Sequence, residues 1–181
     1  MIQIMDKNAV KILLRLNKLR VGVFIDDANL FYTQKRLGWK ISWLRYKKLI
    51  DQYSKSSDFY YYIGNPPTEK NRKETKKIVQ KLIKIGYKVK TKPLKKIFVS
   101  REKFIYKCNF DVEMALDVSE KIDRLDMVII SSGDGDFLAI KNLCLKKGKK
   151  FMVICFEKNI AWELKLVHHL YFENIRTLVQ K

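Results

Sequence analysis

Two carboxylates stand close together in the stretch IISSGDGDF, residues 129–137. Asp134 and Asp136 are separated by one glycine and follow an apolar run. The chain around them is strongly basic: its 181 residues contain 38 Lys and Arg against 19 Asp and Glu, a formal net charge of +19. Carboxylates a few ångströms apart repel one another, and a divalent cation removes that repulsion. The turn is therefore a candidate cation site in a chain that otherwise attracts anions.

Further polar side chains follow the apolar runs that we predict to be strands. Asp26 comes directly after the run 21–25, and Asn29 lies three residues later. Asp134 follows the run 127–131 by three residues. In an α/β sheet, ligands bind at the carboxyl ends of the strands. We therefore expect Asp26 and Asp134 to meet there, although they are far apart in the sequence.

A third acid is expected from the stretch KCNFDVEMALD. Asp111 lies in the first turn of a predicted helix, near the edge of its apolar face. Asp117 lies about 120° around that helix, so helical geometry alone does not bring both acids into one pocket. Glu113 and Asp117 share a face instead. Geometry thus favours Asp111 as the acid that joins the site.

Each of these residues also has a purely structural explanation. Asp136 can be a helix N-cap, Asn29 can cap its own helix, and Asp111 can complement a helix dipole. Asp26 and Asp27 can be ordinary loop acids. Three or four carboxylates that converge on one edge of a sheet are harder to explain in this way.

A cluster of carboxylates is best suited to a hard divalent cation. All-oxygen ligands suit Mg²⁺ and Mn²⁺, and Mg²⁺ also binds substrate phosphate. A bound metal ion makes hydroxide from water near neutral pH and stabilises charge on a leaving oxygen. We therefore predict an Mg²⁺ or Mn²⁺ ion held by Asp26, Asp111, Asp134 and Asp136, beside a basic surface that binds a phosphate backbone.

Strands and helices alternate along most of the chain. Short apolar runs predict buried strands, whereas longer segments with helical spacing predict helices. This alternation predicts an α/β fold of βαβ units, with a mostly parallel central sheet and helices on both faces. The predicted strands are 21–25, 59–64, 127–131, 150–155 and a short one at 171–175, strand or hairpin material covers 87–94 and 96–107, and the predicted helices include 42–53, 69–85, 109–122, 136–147 and 160–169. Ser42 is a possible N-cap of the helix 42–53, and Gly86 is expected to end the helix 69–85.

The length fits one domain, residues 21–181, preceded by an N-terminal extension, residues 1–20. Within the extension, residues 4–19 predict an amphipathic helix with Leu13 and Leu16 on its apolar side. This helix can dock on the domain, form a homodimer or bind a regulatory protein partner. Docking on the domain is the simplest of these arrangements.

The cysteines and the hydropathy of the chain indicate in which compartment we expect the protein. The three cysteines are scattered and form no Cys/His cluster, so we do not expect a zinc site, and free thiols fit a reducing compartment. The N-terminus lacks the pattern of a secretory signal, and no apolar run approaches the roughly 20 residues that span a bilayer. We expect a soluble, cytoplasmic protein with no membrane partner.

Much of the basic charge lies in one segment. Residues 66–103 contain 14 Lys and Arg against three acids, and the helix 69–85 repeats lysine at three- and four-residue steps. A solvated helix face is one explanation, and a track for single-stranded or structured RNA is the other. Binding would depend mainly on phosphates and salt, with only weak sequence preference. The residues assigned to this track are Lys70, Arg72, Lys73, Lys77, Lys81 and Lys84, while Tyr87, Phe98, Phe104 and Tyr106 can stack on bases or pack in the core.

These motifs together resemble the NYN domain, in its LabA-like branch, within the PIN-like nuclease superfamily. The matching stretches are VFIDDANL, FYYYIG before a basic helix, KCNFDVEMALD, DMVIISSGDGDF and GKKFMVIC, between about residues 21 and 176. The resemblance implies a Rossmann-like, three-layer α/β/α fold and metal-dependent ribonuclease activity.

The resemblance also implies roles for single residues. It points to Asp26 with Asn29 beside it, to Asp111 and Asp117 on the helix, and to the pair Asp134 and Asp136. Lys107 and Ser132 match further positions of the motif, and we interpret them as a phosphate contact and a support for the loop. Asp27 departs from the family pattern, which has a small residue there, and it either adds charge or points to solvent.

Three functions fit the sequence to different degrees. The first is an Mg²⁺- or Mn²⁺-dependent ribonuclease, and the alternative is a non-catalytic nucleic-acid-binding module of the same fold. A phosphatase or receiver-like switch is disfavoured, because Ala28 stands where a phosphatase needs a second Asp and FYYYIGN supplies no phosphoacceptor. His168 and His169 are interpreted as packing or surface residues rather than a catalytic base.

Overall fold

The computed structural model describes residues 6–100 and 102–181. Its centre is a sheet of six parallel strands, with a separate two-stranded antiparallel hairpin. The sheet strands are β1 (Arg20–Asp26), β2 (Ser56–Asn65), β3 (Tyr87–Pro93), β6 (Met127–Ser131), β7 (Lys150–Cys155) and β8 (His169–Tyr171), and the hairpin strands are β4 (Lys95–Phe98) and β5 (Phe104–Lys107). The order in the sheet is β3-β2-β1-β6-β7-β8.

Helices cover both faces of this sheet, as the alternating pattern predicts. Because successive strand side chains point to opposite faces, Val23 and Ile25 of β1 belong to one core and Phe24 to the other. The two cores give the predicted three-layer α/β/α fold. The α-helices are α1 (Lys7–Leu13), α2 (Asp27–Leu37), α3 (Trp43–Tyr53), α4 (Glu69–Lys84), α5 (Asp111–Lys121), α6 (Leu138–Lys146) and α7 (Arg176–Val179), of which α1 to α4 and α7 contribute to the first core and α5 and α6 to the second.

Local sequence signals account for several helix ends. The hydroxyl of Ser42 accepts the backbone N–H of Arg45, which makes Ser42 the N-cap of α3 as predicted. Helix α4 buries only Thr75 and Leu82 and is followed by Gly86 in the left-handed region, at φ 93°. Among the helices of the described residues, none combines the length and apolar character that crossing a membrane requires.

The N-terminal helix packs on the domain. Ala9 and Leu13 of α1, and Leu16 in the 3₁₀ turn that follows, are buried in the first core. The helical segment ends earlier than the predicted residue 19, because the chain turns at Asn17 and Lys18, where φ is 61°. The predicted start at residue 4 lies outside the described residues. The apolar side of this helix is therefore used within the chain.

Two predicted elements differ from the structure. The predicted helix 160–169 is a 3₁₀ turn, Trp162–Leu166, in which only Leu164 is buried, so the segment lacks the apolar stripe that a longer helix needs. The predicted last strand at 171–175 is β8, which begins two residues earlier, and Phe172–Ile175 form a 3₁₀ turn. The segment 87–107 divides, because β3 joins the main sheet beside β2 whereas β4 and β5 pair only with each other.

Strand β3 is an edge of the sheet and carries a row of lysines. Lys88 pairs with Asp58 at 2.8 Å, Lys90 pairs with Asp117 at 2.8 Å, and Lys92 pairs with Glu113. Because these lysines alternate along the strand, all three lie on the face that α5 covers. Lys90 and Lys92 therefore tie the edge strand to α5, whereas Lys88 ties it to β2.

Candidate metal centre and nucleic-acid surface

The predicted site lies at the centre of the sheet. Strands β1 and β6 are neighbours, and the chain order of the strands reverses between them. The crevice at the carboxyl ends of such strands is the usual ligand site of open α/β sheets. Asp26 ends β1 there, and Ser132 directly follows β6. Asp26 thus lies at the carboxyl end of the sheet, where the sequence pattern predicted it, and Ser132 lies beside it.

Hydrogen bonds join the ends of these two strands. The hydroxyl of Ser132 donates to Asp26 at 3.2 Å and accepts the backbone N–H of Asp134 at 3.2 Å. The side-chain oxygen of Asn29 accepts the backbone N–H of Gly133 at 3.0 Å. Asp26 also caps α2 by accepting the N–H of Asn29 at 3.4 Å. These contacts fix the loop after β6 against the start of α2.

Three carboxylates gather beside this junction. Oxygens of Asp111, Asp134 and Asp136 lie within 4.8 Å of one another, with Asp111 half-buried and the other two exposed. Asp134 accepts the N–H of Asp136 at 3.1 Å and caps the 3₁₀ turn Gly135–Phe137. The cap at this turn is thus Asp134 rather than Asp136. The structure brings together three of the four predicted metal ligands, and Asp26 lies next to them.

Two carboxylates of the site, Asp26 and Asp111, have a raised pKa, first because of burial and then because of neighbouring negative charges. The pKa of Asp26 is raised to about 6, mainly by burial. Hydrogen bonds from the Asn29 N–H and Ser132 lower it, and the negative charges of Asp111 and Asp27 add to the rise. Burial also raises the pKa of Asp111, followed by the charges of Asp134 and Asp136, while Lys107 lowers it. A divalent cation would relieve this repulsion.

The donor set fits a hard cation. The three grouped side chains offer only carboxylate oxygens, and two of them are open to water. Mg²⁺ and Mn²⁺ prefer oxygen ligands, and Mg²⁺ keeps several waters when one or two carboxylates bind it. Asp111, Asp134 and Asp136 therefore could hold such an ion, with Asp26 beside it.

Asp117 lies elsewhere on α5. It is only 2% exposed and accepts hydrogen bonds from Tyr62 at 2.6 Å, Lys90 at 2.8 Å and Lys121 at 2.9 Å. Burial raises its pKa, but these hydrogen bonds outweigh burial and the pKa is lowered. Its position agrees with the 120° separation from Asp111, and the structure does not place it in the carboxylate group.

Asp27 points into the protein. The hydroxyl of Tyr61 donates to its carboxylate, and burial raises the pKa of Asp27 to about 6 in spite of that hydrogen bond. No local pattern in the sequence signals this contact, because Tyr61 lies on a different strand. Asp27 is therefore a half-buried acid whose carboxylate is held by Tyr61 rather than one that points to solvent.

Sequence reasoning missed the loop that closes the site from the β7 side. The Asn159 side chain donates to the Asn29 carbonyl at 3.5 Å, and the Ala161 N–H donates to the Gly133 carbonyl at 2.8 Å. A Cβ on Gly133 would overlap the Asn159 carbonyl, so glycine is needed there. Next to this contact is a pocket of about 330 Å³, lined by Ala28, Asn29, Tyr32, Thr33, Arg36 and Asn159.

The two histidines have ordinary structural contacts. A ring nitrogen of His168 lies 2.9 Å from the Arg15 guanidinium, and a ring nitrogen of His169 lies 2.9 Å from the Val167 carbonyl. Neither belongs to the group of carboxylates.

The predicted basic residues are on the surface. Helix α4 follows the carboxyl end of β2 and exposes Lys70, Arg72, Lys73, Lys77, Lys81 and Lys84. Lys73 pairs with Glu69 at 2.7 Å, and Arg72 donates to the Pro67 carbonyl at 2.8 Å. Lys107 is exposed at the end of β5, four residues before Asp111.

The four aromatic residues considered for stacking separate into two groups. Tyr87 is buried in the first core. Phe98, Phe104 and Tyr106 are all exposed on the hairpin. Of these four rings, those of the hairpin are therefore the ones available to a ligand.

Comparison with known proteins identifies the family of this chain. A family model described as the NYN domain matches residues 20–175. The chain belongs to the NYN domain family. It is thus a member of the PIN-like nuclease superfamily.

Two relatives of this NYN-domain protein illustrate the match. It is 26% identical over 173 residues to "Low amplitude and bright protein LabA" of Synechococcus elongatus, covering 90% of this chain and 88% of the relative. A crystal structure of a Vibrio parahaemolyticus protein of unknown function superposes with a TM-score of 0.69 at 20% identity, covering 86% of this chain and 93% of the other. The second likeness supports the Rossmann-like fold.

Proposed function

We propose that this NYN-domain protein is an Mg²⁺- or Mn²⁺-dependent ribonuclease that hydrolyses RNA phosphodiester bonds. The observation that supports it most is the group of Asp111, Asp134 and Asp136, whose oxygens lie within 4.8 Å of one another beside Asp26. This group lies at the sheet edge where α/β folds bind ligands. The basic helix α4 begins at this end of the sheet, and the base of the basic hairpin lies there too.

Each residue has a role in the proposal. Asp26, Asp111, Asp134 and Asp136 bind the cation, which supplies an activated water and stabilises charge on the leaving oxygen. Ser132 and Asn29 hold the loop that carries Asp134, through their contacts with Asp26 and Gly133. Asp117 completes the site indirectly, because its contacts with Tyr62, Lys90 and Lys121 fix the helix that carries Asp111.

The substrate in this proposal is single-stranded or structured RNA. Lys107 contacts a phosphate near the metal ion, since its charge already acts on Asp111. The exposed lysines of α4 contact phosphates further along the strand. Free thiols at Cys108, Cys144 and Cys155 suit a reducing compartment, so we propose the cytoplasm as the place of action.

The test is cleavage of end-labelled RNA in the presence of Mn²⁺. We expect the wild type to shorten the RNA and Asp134→Asn to lose most of that activity, because the variant removes a charged ligand but keeps the side-chain shape. Asp123→Asn is the matched control, since Asp123 is an exposed acid that pairs with Lys147 outside the group. Equal cleavage by the wild type and Asp134→Asn would contradict the proposal.

A non-catalytic RNA-binding module is the second candidate. It is favoured by the length of the basic face of α4, which extends over a helix of 16 residues and so well beyond the carboxylates. In this case the protein would bind RNA with steep salt dependence, and the RNA would keep its length during long incubation with Mn²⁺.

A further inference from the structure

The hairpin formed by β4 and β5 has two different faces. Lys96 pairs with Tyr106 and Phe98 pairs with Phe104 across the strands, and Ile97 pairs with Ile105 between them. Because side chains alternate along a strand, one face carries Lys96, Phe98, Phe104 and Tyr106, which we call the aromatic face. The opposite face carries Lys95, Ile97, Ile105 and Lys107. All of these residues are exposed.

The rings of the aromatic face form a continuous row. The centroids of Phe98 and Phe104 are 6.1 Å apart, and those of Phe104 and Tyr106 are 5.5 Å apart. The ammonium group of Lys96 lies 4.0 Å from the Phe104 centroid and 4.8 Å from the Phe98 centroid. A positive charge thus lies among aromatic rings that are open to solvent.

The base of the hairpin is fixed beside the carboxylates. Leu94 and Cys108 flank the hairpin in the sequence, and both pack against Gly64. A Cβ on Gly64 would overlap the Leu94 side chain. Gly64 is near the carboxyl end of β2, at the same edge of the sheet as Asp26. Asp111 follows the hairpin after four residues. The aromatic face therefore projects from the edge that holds the candidate metal site.

The charge and the rings of the hairpin together indicate which kind of ligand binds its aromatic face. The segment 95–107 contains five Lys and Arg against one Glu, so it attracts an anionic partner. Flat exposed rings with a nearby cation are the features on which unpaired bases stack while lysines contact the phosphates. The opposite face carries two lysines, Lys95 and Lys107, with Ile97 and Ile105 in place of rings, so it offers positive charge without a surface for stacking.

We propose that the aromatic face is a stacking platform for unpaired RNA bases, which holds a single strand as it leaves the metal site. The inference deepens the proposed function, because it rests on RNA being the ligand. It assigns binding of bases to Phe98, Phe104 and Tyr106 and predicts a preference for single strands over duplexes, whose bases are already stacked.

The test is binding of a short fluorescein-labelled oligouridylate, followed by fluorescence anisotropy in a chelator so that no cleavage occurs. We expect Phe104→Leu to weaken binding on the order of tenfold, because an aromatic ring contributes stacking that an aliphatic side chain cannot. Phe104→Tyr keeps a ring and should bind like the wild type. Ile105→Ala is the matched control, since Ile105 is 45% exposed and Phe104 is 43% exposed on opposite faces.

Two further measurements keep the result interpretable. Circular dichroism melting of each variant shows whether the fold is retained, and the Phe104→Tyr result separates loss of stacking from loss of the hairpin. The same oligouridylate annealed to its complement should bind the wild type and Phe104→Leu equally. Equal binding of the single strand by the wild type and Phe104→Leu would overturn the inference, as would an equal loss in Ile105→Ala.

The outcome is separate from that of the cleavage assay. If the wild type does not cleave RNA but Phe104→Leu loses affinity, the platform stands and the ribonuclease proposal fails. If the wild type cleaves RNA and Phe104→Leu binds the single strand normally, the platform is overturned and the ribonuclease proposal stands. The platform would also be overturned if the wild type did not bind the oligouridylate at all. The same holds if Phe104→Leu weakened binding to anionic lipid vesicles but not to the oligouridylate.

Discussion

Asp134 uses its carboxylate in two ways. It caps the following 3₁₀ turn by accepting the N–H of Asp136, and it lies with Asp111 and Asp136 in the group of carboxylates. The cap fixes the shape of the loop that carries Asp134 and Asp136. The repulsion within the group explains why an ion should still stabilise the protein.

Mn²⁺ should therefore raise the melting temperature of the wild type. A ligand that binds only the folded state stabilises it by mass action. Asp134→Asn and Asp136→Asn should each reduce the rise, measured by differential scanning fluorimetry across a Mn²⁺ titration. Asp123→Asn should show the rise of the wild type. A rise of the same size in all four proteins would argue against an ion at this group.

Asp117 has a different role, and its replacement should mainly affect stability. Asp117→Ala leaves Lys121 and the Tyr62 hydroxyl without their shared acceptor. We expect a loss of about 2 kcal/mol in the free energy of unfolding, measured by urea denaturation. Glu120→Ala removes an exposed acid that also pairs with Lys121 and should leave the midpoint almost unchanged. An equal midpoint for Asp117→Ala and the wild type would contradict this role.

At the scale of residues, the sequence locates acids wherever a strand end fixes them. Asp26 and Asp134 could be placed because each follows an apolar run, and Asp111 because it opens a helix. Asn159 could not be placed, since it lies in an irregular loop whose path depends on contacts made by Gly133. Contacts of that kind form between segments far apart in the chain and leave no local pattern.

The loop after β6 is the element on which the site depends most. Gly133→Ala would push a methyl group into the Asn159 carbonyl, so the two loops must separate. We expect a lower melting temperature and a loss of RNA cleavage in the assay described above. Gly135→Ala, whose Cβ would lie 3.3 Å from the Ala161 Cβ, should be better tolerated. Identical behaviour of the two variants would show that this close approach is unimportant.

The opposite end of β1 is fixed by an ion pair. The Asp126 carboxylate accepts the backbone N–H of Arg20 at 2.9 Å and its guanidinium at 2.7 and 3.0 Å. These hydrogen bonds lower the pKa of Asp126. The folded chain therefore binds this proton less readily than the unfolded chain, so the pair stabilises the fold above the ordinary aspartate pKa and is lost in acid.

Asp126→Asn should consequently lower the urea midpoint near neutral pH. The difference from the wild type should shrink as the pH falls below about 4, where the carboxylate of the unfolded chain becomes protonated. Midpoints measured across this range check the prediction, with Asp123→Asn as the control. A difference that does not change with pH would contradict it.

At the scale of elements, regular segments were predictable and irregular ones were not. Ser42 and Gly86 marked the ends of α3 and α4 because their caps are local. The predicted helix 160–169 was wrong, since only Leu164 of the turn Trp162–Leu166 is buried, whereas Trp162 and Leu166 are exposed. The sequence does not show how residues 87–107 divide into β3 and a separate hairpin. Strand β3 joins the main sheet because β2 has an unpaired side, and that depends on the order of all the strands.

The whole molecule is dominated by its positive charge, and RNA binding should reflect it. The combined variant Lys70→Gln, Lys77→Gln and Lys81→Gln should bind RNA more weakly. It should also reduce the slope of log K against log salt by about 0.7 for each phosphate that these lysines neutralise in the wild type. Filter binding at several salt concentrations measures both effects.

The control is a variant that loses the same number of positive charges on the β7 side of the sheet, away from α4. Lys146→Gln, Lys147→Gln and Lys150→Gln remove exposed lysines near the start of β7. This control variant should show the same slope of log K against log salt as the wild type. Equal reductions in the two triple variants would indicate attraction by net charge alone, without a track on α4.

The lysine row of β3 has a consequence for how molecules of this protein meet. An edge strand presents unpaired backbone groups that can recruit a strand from another molecule, and natural sheets discourage this with lysine and proline. Strand β3 has Lys88, Lys90 and Lys92 and ends in Pro93, which has no N–H to donate. The same lysines and Pro93 thus disfavour pairing between the β3 strands of neighbouring copies.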